Sequence, residues 1–353
     1  MLCGGLDKYF FVERIPSTPP PIDPVAPGVN RPRISVMIPV FNCTQYVQEA
    51  LESVLQQGWG PDDMQIEVVD DFSTDADVAS LVMKVGGGRV TYYRQEQNVG
   101  SLRNFQTCIN RARGHYVHIL HGDDKVNPGF YDTMMGIFDQ YPEAGAAFCA
   151  FDMIGPTSDF FATAGKMEPE RGIIKNALYR LGSQPWLQYA CMVVKREAYE
   201  QLGSFYLATY GEDWEMWVRI AKHFPIVYTP EALAVYRVHP SSITRRSYMT
   251  GENIRDLAKV INRIAEHLPK EQQKQAATEA KKYWAYTSLN ICYSLWYRTH
   301  NKTVVTTQMT EALKLYSDPF LVCKSYFIRM IMLMPKTWLP AMRGAYRKVW
   351  FGE

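Results

Sequence analysis

"ISVMIPVFNCTQYVQEALESVLQQG" (Ile34–Gly58) decides the fold class. Its first seven residues are a short, nearly unbroken apolar run, the pattern of a strand buried on both faces. After the turn "FNCT" the period changes. Val47, Ala50, Leu51, Val54 and Leu55 recur at helical spacing, and Gly58 stands where such a helix stops. Working outward, the same strand-then-helix grammar repeats. "IEVVDD" (66–71) precedes the helical run "STDADVASLVMKV", with Ser73, Thr74 and Asp75 as expected caps. "RVTYYRQ" precedes "SLRNFQTCINRA", and "HYVHIL" precedes "FYDTMMGIFDQYP". This alternation predicts an α/β fold with a mostly parallel sheet flanked by helices. Ligands in such sheets collect beyond the carboxyl ends of the strands.

The rest of the chain frames this unit. Residues 1–32 form a proline-rich leader expected to be extended and without a core of its own. "AAFCAFDMI" reads as another strand, after which regularity fades through about 152–185. It resumes with "WLQYACMVVKREAYEQLGSF", "DWEMWVRIAKHF" and "IVYTPEALAVYRVH". A catalytic domain is therefore expected over 33–248, and a helical C-terminal extension over 249–353. The formal net charge is +2, which gives no argument for a nucleic-acid partner. Seven scattered cysteines without a C-x-x-C pair argue against a disulfide framework or zinc site and fit a cytoplasmic setting. The N-terminus does not read as a secretory signal, and no apolar stretch is long enough to span a bilayer.

Three acidic features fall at the expected ligand edge. Asp70 and Asp71 end the second strand, Asp123 and Asp124 follow the fourth in "HILHGDDKV", and Glu212 and Asp213 open a helix in "YGEDWEMW". Each alone is ordinary, because strand-end carboxylates are usually solvated and Asp213 suits a helix N-terminus. Together they match the needs of a nucleoside diphosphate. Mg²⁺ or Mn²⁺ takes one or two hard carboxylate oxygens, which Asp123 and Asp124 offer beside Gly122. Asp71 has the chemistry to accept a base N–H, and Asp213 to take an acceptor proton.

The stretches "ISVMIPVFNCTQYVQEALESVLQQ", "IEVVDDFSTDAD", "NVGSLRNFQTCINRARGHYVHILHGDD" and "YGEDWEMWVRIA" resemble the successive signatures of the family 2 glycosyltransferases, across about residues 33–245. The resemblance implies a GT-A fold, a nucleotide-sugar donor (a UDP-sugar by expectation), a divalent metal and transfer with inversion. Residue by residue, Pro39 and Phe41 resemble the turn beside the base, and Asp71 the base-contacting carboxylate. Arg103, a looser match, falls near a nucleotide-contacting arginine. Asp123 and Asp124 resemble the ribose-and-metal motif, with Asp124 favoured as the direct ligand. Asp213 resembles the general base, with Glu212 and Trp214 beside it toward an acceptor site. His239 falls where some relatives add a metal or phosphate contact.

Two positions depart from that pattern: His121 stands where many relatives have an acidic residue, and Phe72 where glycine is common. His118 and His121 read first as residues that tune local structure. One base suffices for a single displacement. The processive Q-x-x-R-W signature is absent, which argues for addition of single sugars to a glycan or lipid-linked acceptor. A nucleotidyltransferase would need a glycine-rich loop after the first strand, and "PVFNCTQY" has none. A catalytically silent nucleotide-sugar-binding subunit would have little use for Asp213. In the tail, "FLVCKSYFIRMIMLMPKTWLPAMRGAYRKVW" mixes aromatics with Lys324, Arg329, Lys336, Arg343, Arg347 and Lys348. That composition suits peripheral contact with the inner face of a cell membrane, the alternative being a helix packed on the domain or on a partner.

Overall fold

The computed structural model describes residues 13–185 and 187–334. From the N-terminus the first elements are β1 (Ile34–Val40), α1 (Thr44–Leu55), β2 (Met64–Asp70), α2 (Val78–Gly86), β3 (Thr91–Arg94), α3 (Ser101–Arg111) and β4 (Tyr116–Ile119). There follow β5 (Lys125–Val126), α4 (Phe130–Gln140), β6 (Ala146–Ile154), β7 (Phe160–Ala164), β8 (Gly172–Ile173), α5 (Ala177–Ser183), β9 (Met192–Lys195), α6 (Arg196–Leu202), α7 (Glu212–His223) and β10 (Ile226–Arg237). Helices α8 (Ile243–Thr250), α9 (Glu252–His267), α10 (Lys270–Thr299), α11 (Lys302–Leu315) and α12 (Pro319–Leu333) complete the described chain.

One sheet runs β3-β2-β1-β4-β9-β6-β10-β5, with β7 beside β6 and β8 beside β10. Every residue of β1 and β2 is buried, as apolar strands covered on both faces must be. β3, β2, β1 and β4 are mutually parallel. Beyond β4 the sheet departs from the parallel pattern: β9 inserts antiparallel to both β4 and β6, while β6 and β10 pair in parallel. β2 and β4 lie on opposite sides of β1, so the strand order reverses there, and a crevice opens beyond the carboxyl ends of β1 and β4.

The expected caps for the second helix are displaced. Asp77 caps α2, its side chain accepting from Ser80 N. Ser73, Thr74 and Asp75 instead stitch the turn after β2 to the turn after β1. Asn42 N donates to Ser73 Oγ at 3.0 Å, Thr44 N to Asp75 Oδ2 at 2.9 Å and Thr74 N to Asn42 Oδ1 at 2.8 Å. Phe72 sits at φ +66°, in the left-handed region that glycine occupies without strain.

The main apolar core contains the sheet, and it also takes in Leu257, Val260, Ile261, Ile264 and Leu268 of α9 and its exit, with Ala276 and Ala280 of α10. A second cluster joins the later part of α10 to α11 and α12 through Leu289, Cys292, Val305, Met309 and Ile328. No helix among the described residues is long and apolar enough to cross a membrane.

Helix α7 is tied to α9 by a buried ionic knot. Glu215 is fully buried and receives Arg219 Nη2 at 3.0 Å, His267 Nε2 at 2.9 Å and the Tyr206 hydroxyl at 3.3 Å. Burial disfavours its charge, but His267 and Arg219 outweigh that and hold its carboxyl below the usual range. Glu215→Ala strands the buried Arg219 guanidinium without its counter-charge. The expected cost is about 3–5 kcal/mol of stability, read from urea denaturation.

Candidate active site

The crevice at the strand reversal is a cavity of about 380 Å³, within the range of small-molecule sites. Its floor is the turn after β1, where Pro39, Val40, Phe41, Asn42 and Cys43 all line it. Gly122 packs onto that turn: a Cβ there would lie 2.9 Å from Val40 Cγ2 and 3.1 Å from Cys43 Sγ. Only glycine lets the loop after β4 approach so closely.

Asp70 and Asp71 part company. Asp70 is structural, accepting from Ser73 N, the Tyr92 hydroxyl and Arg94 Nη1. Asp71 faces the cavity, and its carboxylate accepts from Val99 N at 2.7 Å, Gly100 N at 3.0 Å and Asn98 Nδ2 at 2.7 Å. Burial pushes its pKa up to about 6, against the pull of those hydrogen bonds.

The adjacent pair after β4 divides in the same way. Asp124 is 2% exposed and turns inward, accepting from Arg237 N at 2.9 Å. Asp123 lines the cavity, and its Oδ2 pairs with His239 Nε2 at 2.8 Å. Burial alone would raise Asp123, but the His239 bond and the neighbouring imidazoles hold it below the usual carboxylate range. His239 is 3% exposed, and its other nitrogen pairs with Ser241 Oγ at 2.8 Å. Both ring nitrogens are engaged. His239 lines the cavity beside Asp123, and in this arrangement its imidazole pairs with that carboxylate.

His121 carries more than the sequence implied. Its ring stacks on Phe105, with centroids 5.3 Å apart at 12°, and lies 4.5 Å from the Tyr189 ring. Burial lowers its pKa against the pull of Asp123, and the buried Nε2 finds no hydrogen-bond partner among the described residues. One ligand atom each from His121, Asp123 and Asp124 lie within 4.8 Å of one another. An imidazole and two carboxylates within that distance fit a divalent cation, and imidazole with carboxylate suits Mn²⁺ at least as well as Mg²⁺.

Helix α7 starts after Gly211 (φ +89°) and presents Glu212 and Asp213 in its first turn. Glu212 is 8% exposed, accepts from the Tyr189 hydroxyl at 3.2 Å, and is pushed far up by burial and then by Asp213. Asp213 is half-buried, with a pKa raised to about 6 by burial. Thr209, four residues ahead of it, lines the cavity. Trp214, expected at an acceptor site, is 3% exposed in the main core with its indole N–H donating to Leu181 O. Trp214 and Glu212 both face inward, so neither offers an acceptor surface.

Arg103 also departs from expectation. Its Nε donates to Glu13 O at 2.8 Å and its Nη1 to Gln106 at 3.0 Å, and it is absent from the cavity wall. The sequence reading missed Arg14, Ile15, Asn98, Ser241 and Ser242, all of which line the cavity. Of these only Asn98, in "NVGS" before a helix start, carried a local signal.

Residues 35–203 match the family described as glycosyl transferase family 2. A Campylobacter jejuni relative, GalNAc(5)-diNAcBac-PP-undecaprenol beta-1,3-glucosyltransferase, is 25% identical over 276 residues, 76% of this chain and 86% of that protein. S. aureus TarS (residues 1–349, in complex with UDP-GlcNAc) superposes with a TM-score of 0.59 at 16% identity, covering 80% of this chain and 79% of that one. The mannosyltransferase PcManGT from Pyrobaculum calidifontis, in complex with GDP-Man and Mn²⁺, gives 0.53 at 18% identity over 96% and 92%. The fold is GT-A, a central sheet flanked by helices with further helices at the C-terminus.

Proposed function

This chain belongs to the family 2 glycosyltransferases, and we propose on that premise that it moves a single sugar from a nucleotide-sugar donor to a glycan or lipid-linked hydroxyl, with inversion. The observation that carries the reading is the division of labour among three carboxylates. Asp71 and Asp123 face one cavity, and Asp213 stands on the neighbouring helix start with a pKa near 6. Relatives in complex with UDP-GlcNAc and GDP-Man support the donor class, and the undecaprenol-linked name of the Campylobacter protein supports the acceptor class.

The roles follow from the chemistry. Pro39 and Phe41 wall the base end, and Asp71 accepts a base N–H. His121, Asp123 and, less directly, Asp124 would hold Mn²⁺ or Mg²⁺, which supplies positive charge against the leaving diphosphate. Asp213 takes the proton of the attacking hydroxyl. Burial and the neighbouring Asp213 push the Glu212 carboxyl up, which disfavours a second negative charge there. The reading is tested by screening nucleotide sugars with Mn²⁺ or Mg²⁺ for nucleoside diphosphate release. One or a few donors should turn over, with loss of activity in EDTA. Silence across the panel removes the reading.

We also propose peripheral membrane contact at the inner face of a cell membrane. Phe320, Tyr326, Met330 and Leu333 are exposed along α12. Lys336, Arg343, Arg347 and Lys348 follow in the sequence, outside the described residues. Apolar area with basic charge is the chemistry of an anionic interface. The full chain should float with anionic liposomes and a chain ending at 334 should float less; equal behaviour removes the proposal.

A further inference from the structure

The cavity is completed by a segment that precedes the family-matched residues. Residues 13–23 lie along α3 and the α6–α7 connection, and several of their carbonyls accept hydrogen bonds from the domain. Leu207 N donates to Pro16 O at 2.9 Å, Ser204 N to Pro20 O at 2.8 Å and Arg196 Nη2 to Asp23 O at 3.0 Å. Proline suits this strap, since it has no N–H to satisfy and its φ is preset. Ile22 enters the main core at 4% exposure. Gly203 adopts φ +79°, and a Cβ there would stand 2.7 Å from Pro20 O, so the strap's close seat requires glycine. The leader is built in.

Its first described residues exchange one arginine for another. Arg103, the cation expected at the nucleotide, grips Glu13 O instead. The next residue, Arg14, turns its guanidinium to the cavity wall. Nη2 donates to Asn98 Oδ1 at 2.6 Å and Nη1 to Asn98 O at 3.3 Å. Asn98 in turn donates Nδ2 to Asp71 Oδ2 at 2.7 Å, giving a relay from Arg14 through Asn98 to Asp71. The cavity's other arginine, Arg246, belongs to α8 and donates to Ser241 O.

We propose that Arg14 is a donor-specificity residue that reads the nucleobase edge with Asp71: Asp71 accepts a ring N–H, and Arg14 donates to the adjoining carbonyl oxygen. The proposal rests on the nucleotide-sugar reading above. A carboxylate offers about four lone-pair positions, and three protein donors reach Asp71, so one remains for the base. A guanidinium has five N–H donors, and Asn98 takes two of Arg14's. Uracil and guanine each present a ring N–H beside a carbonyl. Cytosine and adenine present a bare ring nitrogen beside an amino group, which sets acceptor against Asp71 and donor against Arg14. Mismatch at both positions leaves polar groups unpaired, the strongest available form of discrimination.

The test is calorimetric titration of the full chain with UDP, GDP, CDP and ADP in the presence of Mn²⁺, for the wild type, Arg14→Ala and Arg14→Lys. The wild type should bind UDP or GDP more tightly than CDP and ADP. Arg14→Ala should weaken the preferred nucleotide about tenfold, with CDP and ADP unchanged and the melting temperature unmoved. Arg14→Lys, which keeps one donor and the charge, should retain part of the preference. Wild-type affinity in Arg14→Ala, or an equal loss for all four nucleotides, overturns the proposal. If the wild type binds none of the four, the donor reading itself falls and takes the proposal with it.

Discussion

Asp213→Asn is expected to lower kcat by about 10²–10⁴-fold, the usual contribution of a positioned general base, while nucleoside diphosphate affinity is unchanged. The substitution keeps size and the hydrogen bond from Trp214 N to Oδ1, which is 2.7 Å in the native chain. It removes only the ability to take a proton. An interaction made in the transition state alone should lower kcat and kcat/KM together. The pH profile gives a second readout. The pKa of Asp213 is raised to about 6 by burial, so the carboxyl is protonated and inactive below that pH and ionised above it. In the wild type kcat should therefore rise through about pH 6 and level off, and the residual activity of Asp213→Asn should lack that limb. Asp71 also titrates near 6, but it acts on donor binding, so its limb belongs in the donor KM. Full activity in Asp213→Asn would end the base assignment.

Asp123→Asn and Asp124→Ala should fail in different ways, although the residues are neighbours. Asp123 faces the cavity and pairs with His239, and its neutral isostere should weaken Mn²⁺ binding and cut activity by about 10²-fold or more. Its melting temperature should barely move. Asp124 supports Arg237, whose side chain is buried and reaches Asp123 O, Ser158 Oγ and Glu49. Asp124→Ala leaves the buried Arg237 N–H unsatisfied, costing about 1–3 kcal/mol of stability. Mn²⁺ titration followed by electron paramagnetic resonance, beside urea denaturation, separates the two. If Asp124→Ala folds normally but loses Mn²⁺ while Asp123→Asn keeps it, the roles are reversed.

The strand-helix rhythm around β1 and β2 was legible because buried strands and amphipathic helices impose different periods on the chain. The acidic strand ends were legible for the same reason: they fall where the apolar runs stop. What the sequence could not supply was direction. Asp70 ends β2, where adjacent side chains point to opposite sides, whereas Asp123 and Asp124 leave a tight turn in which Asp124 N donates to His121 O at 3.0 Å. One member of each pair had to turn inward, and only packing decides which. β9 was read as part of a regular segment, but its antiparallel insertion between β4 and β6 is a long-range pairing with no local signature. Trp214 was ambiguous between core and ligand wall, and tertiary contact with Leu181 decided it. Arg14 sits in a proline-rich leader whose composition describes an extended chain and says nothing of where it docks.

The ionic knot at Glu215 and the shared core of the sheet and α9 bear on cooperativity. A chain cut after residue 248 loses His267, and it loses Asp256, which accepts from Thr209 at the cavity's edge. It also uncovers the main core where Leu257, Val260, Ile261 and Ile264 had packed. Helix α9 and the start of α10 are therefore expected to melt with the sheet as one unit, while α11, α12 and the far half of α10 hold a second apolar cluster that Ile254 of α9 joins. In native-state hydrogen exchange the amides of α9 should open only with global unfolding, and those of α12 should open earlier. On that expectation the stretch that unfolds together ends within α10, past the last strand of the sheet.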